Sequence, residues 1–210
     1  MVTDGEAAQN RPHQNEAMLT RLLLAWAQAK DDAQTTIETE IRSIFEETHA
    51  ILVLDMSGFS STVIRRGILH FLAKIHEMRA AVLPVIRAHG GRLVKFIGDD
   101  VIALFPDVDT ALHASREIRD GTRMRPPLQP PGFGFRVAIG IGYGPLLYVP
   151  GKDIWGNEVN LAFKLGEDTA GADEILLTRA AYDALSAPPT EFQQLIIEAS
   201  GIEIIAYQAP

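Results

Sequence analysis

Apolar positions along the chain follow two different periods, and the change between them falls near residue 49. From Met18 to Thr48 the stretch "MLTRLLLAWAQAKDDAQTTIETEIRSIFEET" holds no Gly or Pro, and Ile37, Ile41, Ile44 and Phe45 recur at helical spacing. This predicts a helical extension over residues 17–48, either an amphipathic helix lying on the main domain or a short coiled coil whose heptads are interrupted at Lys30 and Asp31. Residues 1–16 are polar and read as a disordered tail. From residue 49 to 210 strands and helices alternate. "AILVLDM" is a continuous apolar run of the buried-strand type, and "FLAKIHEMRAAVLPVIRAHGG" is a helix closed by a Gly pair, with Pro84 expected to kink or divide it. "VKFIGDDVIALF" is a hairpin turning at Gly98, Asp99 and Asp100, and "DVDTALHASREIRDGT" is a helix capped by Asp107. A proline-rich loop, "MRPPLQPPGFG", leads into the strand "FRVAIGIGYG", whose glycines at 140, 142 and 144 predict close approach by another backbone. The order is β-α-β-β-α-β, so the fold expected is α+β with a ferredoxin-like core: an antiparallel sheet with flanking helices, preceded by an N-terminal helix.

Composition narrows what such a domain can do. At 210 residues the chain is long enough for one well-buried core, and 47% hydrophobic with 22% charged residues is ordinary for a globular protein. A net charge of −8 argues against nucleic-acid partners and anionic membranes. The absence of cysteine excludes disulfides, thiolate metal sites and cysteine nucleophiles. The polar, acidic start reads as no secretion signal, and "LLLAWA" is too short to span a bilayer, so no membrane insertion and a cytoplasmic location are expected.

Chemistry concentrates at three places. Asp55 ends the most apolar strand and is followed by "MSGFSS", a pattern that suits a carboxylate holding a cation beside free amides that hold phosphate oxygens, or else a simple helix cap. The hairpin supplies further carboxylates. With the Val94–Ile97 strand placed antiparallel beside the strand of Asp55, its turn would bring Asp99 or Asp100 to Asp55, where a carboxylate pair could hold two divalent ions. Lys95, inside the apolar first strand of the hairpin, is either a snorkelling surface residue or a functional cation with a partner elsewhere. In "GKDIWGNEVNLAFKLGED", Asn160 and Lys164 stand four apart on one face of a helix that Gly156 and Asn157 can open; that face either lines a cleft or is merely solvated.

Together "LVLDMSGFSS", "GGRLVKFIGDDVIALF" and "DIWGNEVNLAFKL" resemble, in order, the motifs of the class III nucleotidyl cyclases, the adenylate and guanylate cyclase catalytic domain, over about Ala50 to Tyr207. The resemblance implies that Asp55 and Asp99 bind two Mg²⁺ or Mn²⁺ ions, leaving Asp100 as the turn residue, and that the backbone of Met56, Gly58, Phe59 and Ser60 holds the triphosphate of ATP. It implies that Lys95 and Asp153 read the adenine ring and that Asn160 orients the ribose. It also implies a homodimer with composite sites, each joining the metal residues of one protomer to the base-reading residues of the other. Two positions depart from the family pattern. Lys164 stands where the family has an arginine that stabilises the transition state, and no cation follows Arg179 to meet the triphosphate from the C-terminal strand; Arg92 is one candidate to substitute, and the sequence does not decide. These departures motivate the competing reading, a catalytically weak or inactive module that binds nucleotide or dimerises; a cyclase of other base specificity is the third.

Overall fold

The computed structural model describes residues 14–57, 67–124, 135–187, 190–199 and 201–210. The expected tail thus lies outside the described residues as far as residue 13, and most of the proline-rich loop does too. The side-chain amide of Gln14 donates to the Ile44 carbonyl. Asn15 then caps α1 (Glu16–Gln28) by accepting from the Met18 amide at 2.9 Å.

The extension is two helices and not one. α2 (Asp31–Phe45) starts after a break at Ala29 and Lys30, with Asp31 in the left-handed region at φ 50°, where Asp is among the better-tolerated residues. The physical reason is apolar contact: folding back lets Leu19 and Leu22 of α1 meet Ile41 and Phe45 of α2 over Val149, burial that a straight helix would forgo. Residues 46–48, expected to end the helix, instead begin β1 (Glu46–Ser57).

After β1 come α3 (Ile68–Ala88), β2 (Arg92–Ile97), β3 (Asp100–Phe105), α4 (Val108–Met124) and β4 (Arg136–Val149). α3 runs unbroken through Pro84 and ends with Gly90 at φ 73° and the Gly91 amide donating to the Ile86 carbonyl. Asp107 caps α4 as expected, accepting from the Thr110 amide at 2.8 Å. The chain continues through β5 (Asp153–Trp155), α5 (Asn157–Phe163), a π-helical turn (Lys164–Thr169), β6 (Ile175–Thr178), α6 (Arg179–Asp183), β7 (Gln193–Ala199) and β8 (Ile202–Gln208).

The eight strands among the described residues form one sheet in the order β2-β3-β1-β4-β6-β8-β7, with β5 paired to β4. The sheet is mixed and not wholly antiparallel, because β4 and β6 run parallel. One face buries Leu52, Leu54 and Met56 against α3 and α4; the other buries Ile51 and Val53 against β5 and α5. No helix among the described residues is long and apolar enough to cross a membrane.

Candidate active site

β1 is fully buried from Ala50 to Leu54, so Asp55 is the first residue at which its polar end can carry a carboxylate. Its strand neighbour is β3 and not β2: Leu54 pairs with Val101, which sets Asp100 beside Asp55. The expectation that Val94–Ile97 would lie next to Asp55 is therefore corrected, although the turn still arrives. Asp100 is also not a turn residue. It opens β3 opposite Ile97, and the turn is made by Gly98, at φ 58°, and Asp99. One oxygen from each of Asp55, Asp99 and Asp100 lies within 4.8 Å of the others.

Three carboxylates this close repel one another. Burial and the charge of Asp99 raise the pKa of Asp55, while the Met56 amide, donating to the Asp55 carboxylate, works in the other direction. Burial, followed by the charges of Glu167, Asp55 and Asp99, pushes Asp100 up to about 7. Glu167, on the π-helical turn, adds its charge beside Asp100, and its own pKa is raised, by desolvation first and then by the charges of Asp168, Asp55 and Asp99. Such a cluster fits a divalent cation, whose charge would relieve the repulsion that the pKa values register. Gly58, Phe59 and Ser60, expected beside the triphosphate, lie outside the described residues, and the Met56 side chain belongs to the core.

Lys95 meets Asp153 in an ion pair, Nζ to Oδ2 at 2.6 Å. The pairing depends on an irregularity in β2. Leu93 faces Ala103 and Lys95 faces Ile102, so Val94 is an extra residue and the strand bulges there. Plain alternation would put Lys95 on the sheet face of Leu93, against α3 and α4; the bulge turns it onto the face of Val94 and Ile102, where β5 brings Asp153.

α5 sits on that same face with almost no clearance. A methyl group added at Gly140 would lie 2.6 Å from the Gly166 amide nitrogen, and one at Gly142 would lie 2.5 Å from the Glu158 carbonyl oxygen. The approaching backbone expected over these glycines is that of α5 and the turn after it. Val159 and Ala162 are buried against the sheet, while Asn160 is exposed and Lys164 half-buried. The face of α5 that carries Asn160 is thus open in the single chain. Lys164 forms an ion pair with Asp168 at 2.6 Å.

Three site neighbours were not singled out in the sequence. Glu167 reaches Asp100 from the π-helical turn, and Arg79 of α3 donates to the Gly98 carbonyl at 2.6 Å while packing over the Phe96 ring. Glu158 accepts from the Thr178 hydroxyl at 2.6 Å and ties the start of α5 to β6. Only the Lys164–Asp168 pair left a sequence signal, its i, i+4 spacing. Arg92, one candidate to meet the triphosphate, is held at the far end of β2 by Glu47 at 3.3 Å and over the Tyr148 ring.

Searches among solved structures return the same architecture repeatedly. The chain aligns with an adenylate/guanylate cyclase/hydrolase from Silicibacter pomeroyi at 28% identity and a TM-score of 0.65, covering 78% of this chain and 96% of that one. The guanylate cyclase domain from Catenaria anguillulae, solved with GTP, aligns at 21% identity and a TM-score of 0.68 over the same shares. The fold is that of the class III nucleotidyl cyclase catalytic domain. A bacterial light-regulated adenylyl cyclase shares this cyclase fold at 20% identity and a TM-score of 0.64, over 77% of this chain and 51% of that one. No family model matches the chain. Among curated proteins, uncharacterized proteins of Mycobacterium tuberculosis and Mycobacterium bovis are 38% identical over 89 residues, 42% of this chain. The match spans only 22% of the length of those relatives.

Proposed function

We propose that the protein is an adenylate cyclase that converts ATP to 3′,5′-cyclic AMP and pyrophosphate at two composite sites of a cytoplasmic homodimer. The observation that carries this reading is the Lys95–Asp153 pair, which the bulge in β2 holds at 2.6 Å on the sheet face shared with the carboxylates. Adenine presents an acceptor at N1 beside a donor at its 6-amino group, matching a lysine donor and an aspartate acceptor; guanine presents the reverse polarity and would leave both side chains unpaired.

Asp55 and Asp99 would hold Mg²⁺ or Mn²⁺, whose Lewis acidity would polarise the ribose 3′-hydroxyl and the α-phosphate and balance charge on the pyrophosphate. The chain's own groups do the rest. Asn160, exposed on α5, orients the ribose of a nucleotide held by the partner subunit's carboxylates. Lys164 supplies positive charge to the pentavalent phosphorus, as a single ammonium in place of a planar fork. To reach that position it exchanges Asp168 for the phosphate.

The test is mass-spectrometric detection of cyclic nucleotides after incubation with ATP, GTP, CTP and UTP, each with Mn²⁺ and with Mg²⁺. Cyclic AMP from ATP alone, absent in Asp55→Ala, is the expected result. Product from GTP instead would overturn the base assignment. Metal-dependent ATP binding with no product would favour a regulatory module, the reading that the Lys164–Asp168 pair supports.

A further inference from the structure

We infer that Arg79 is a positioning residue: it holds the one peptide plane of the β2–β3 hairpin that the strand ladder leaves free, and so fixes where Asp99 aims its carboxylate. The inference rests on the metal site proposed above.

The ladder of the hairpin closes at Ile97 and Asp100, so the peptide joining Gly98 to Asp99 lies outside it. Gly98 has φ 58° while Asp99 is not among the residues of positive φ, which is the sign pattern of a type II′ turn. Turning this one peptide over gives a type I′ turn, in which the second central residue also takes a positive φ. Gly98 accepts either form, and Asp is among the residues that tolerate the left-handed region, so the sequence alone permits both. The flip leaves Ile97 and Asp100 paired but swings the Cα–Cβ bond of Asp99, which carries its carboxylate away from those of Asp55 and Asp100.

Packing does not choose between the two forms. Gly98 is exposed, and a methyl group added there would meet nothing within 4 Å among the described residues. What chooses is Arg79, whose guanidinium donates to the Gly98 carbonyl at 2.6 Å. That carbonyl is half of the free plane, so a bond to it sets the orientation of the whole plane and of the Asp99 amide on its other edge. The donor is itself fixed. Met78 and Val82, on either side of Arg79 in α3, are buried in the core, and the guanidinium lies 4.3 Å from the centre of the Phe96 ring. Its Nε is buried with no acceptor among the described residues, so the carbonyl and the ring are what hold the guanidinium in place.

The test uses the full chain and Mn²⁺ alone. Calorimetry measures Mn²⁺ affinity, and NMR of the metal-free protein reads the nuclear Overhauser effect between the Gly98 and Asp99 amide protons, which is weak in a type II′ turn and strong in a type I′ turn because the flip brings the two protons together. Arg79→Met keeps an apolar stem against Phe96 and removes the donor. It is expected to weaken Mn²⁺ binding about tenfold, the low end for losing a group that orients a metal ligand, and to strengthen the Overhauser effect. If that variant does not fold, Arg79→Gln, two bonds shorter and unable to reach the carbonyl, is measured in its place. Wild-type Mn²⁺ affinity in the variant overturns the inference and leaves the cyclase reading standing. Weaker binding with an unchanged Overhauser effect overturns it too, since the loss then belongs to the charge of Arg79 and not to the turn. A wild type that binds no Mn²⁺ overturns the metal site, and this inference with it.

Discussion

The seating of α5 makes a prediction that can be worked from distances. Gly142 is buried in β4 opposite Ile51, directly beneath α5. In Gly142→Ala the new methyl would stand 2.5 Å from the Glu158 carbonyl oxygen and 3.3 Å from the Ala162 methyl. Ordinary contact begins near 3.4 Å, so α5 must retreat by about 0.9 Å, because a helix carbonyl has no alternative rotamer to adopt. Two terms compete in stability. Restricting the unfolded chain stabilises by about 0.4–1 kcal/mol, while overpacking costs about 1–3 kcal/mol, so a net loss of roughly 1–2 kcal/mol is expected. The kinetic effect should be larger, since α5 carries Asn160 and leads into Lys164, and a displacement near 1 Å costs about 10²-fold in turnover. Urea midpoints, cyclic AMP formation and Mn²⁺ titration measure the three quantities, with Mn²⁺ affinity expected to move little. Gly121→Ala is the control. It lies in α4 with open space around its would-be methyl group and should stabilise by up to about 1 kcal/mol with turnover unchanged. A Gly142→Ala protein with wild-type stability and turnover would show that close packing of α5 does not place Asn160 and Lys164.

Asp55→Ala and Asp99→Ala should each abolish cyclic AMP formation while leaving the metal-free urea midpoint unchanged or higher, since each removes one of three mutually repelling carboxylates; a variant that keeps its activity refutes the metal assignment. Lys95→Glu removes the donor to N1 and sets a second carboxylate against Asp153, so the ratio of kcat/KM for ATP over GTP should fall by about 10–150-fold, the loss of a hydrogen bond to a charged group; an unchanged nucleotide profile refutes the base-reading role. Because Asp100 is pushed up to about 7, the folded protein holds a proton there that the unfolded chain releases near pH 4. Metal-free stability should therefore fall as pH rises from about 4 through about 7, and Asp100→Asn should flatten that slope in urea titrations run with a chelator; a slope that survives the substitution refutes the assignment.

Much of this was legible before the structure because it is local. A carboxylate closing an apolar strand, a Gly-Asp turn and an Asn opening onto one helix face are each decided by a few neighbouring residues, and Asp55, Asp99 and Asn160 stand at such positions. Strand order was read incorrectly, although a signal was present. "DVIALF" is buried along almost its whole length and "RLVKFI" is not, and charged residues in a strand mark the edge of a sheet, so β3 and not β2 belongs beside β1. The break at Lys30 and Asp31 was likewise visible as an interruption of the apolar spacing, but only tertiary contact with Val149 decides that the chain folds back there.

Lys95 and Glu167 mark where sequence reasoning stops, and for one physical reason. Each depends on a single extra residue in a regular element: the bulge at Val94 turns Lys95 toward Asp153, and the π-helical turn after Lys164 turns Glu167 toward Asp100. Periodicity can only extrapolate the element as if it were regular, which would send Lys95 into the face covered by α3 and α4. Burying an unpaired ammonium there would cost more than the local disorder of the ladder, so the bulge is the lower-energy solution for this sequence. Deleting Val94 should therefore restore alternation without moving the lysine: Lys95 would directly follow Leu93 and keep its place opposite Ile102, on the face of Asp153, so the pair and the preference for ATP proposed to depend on it are expected to survive in a comparison of cyclic AMP and cyclic GMP formation.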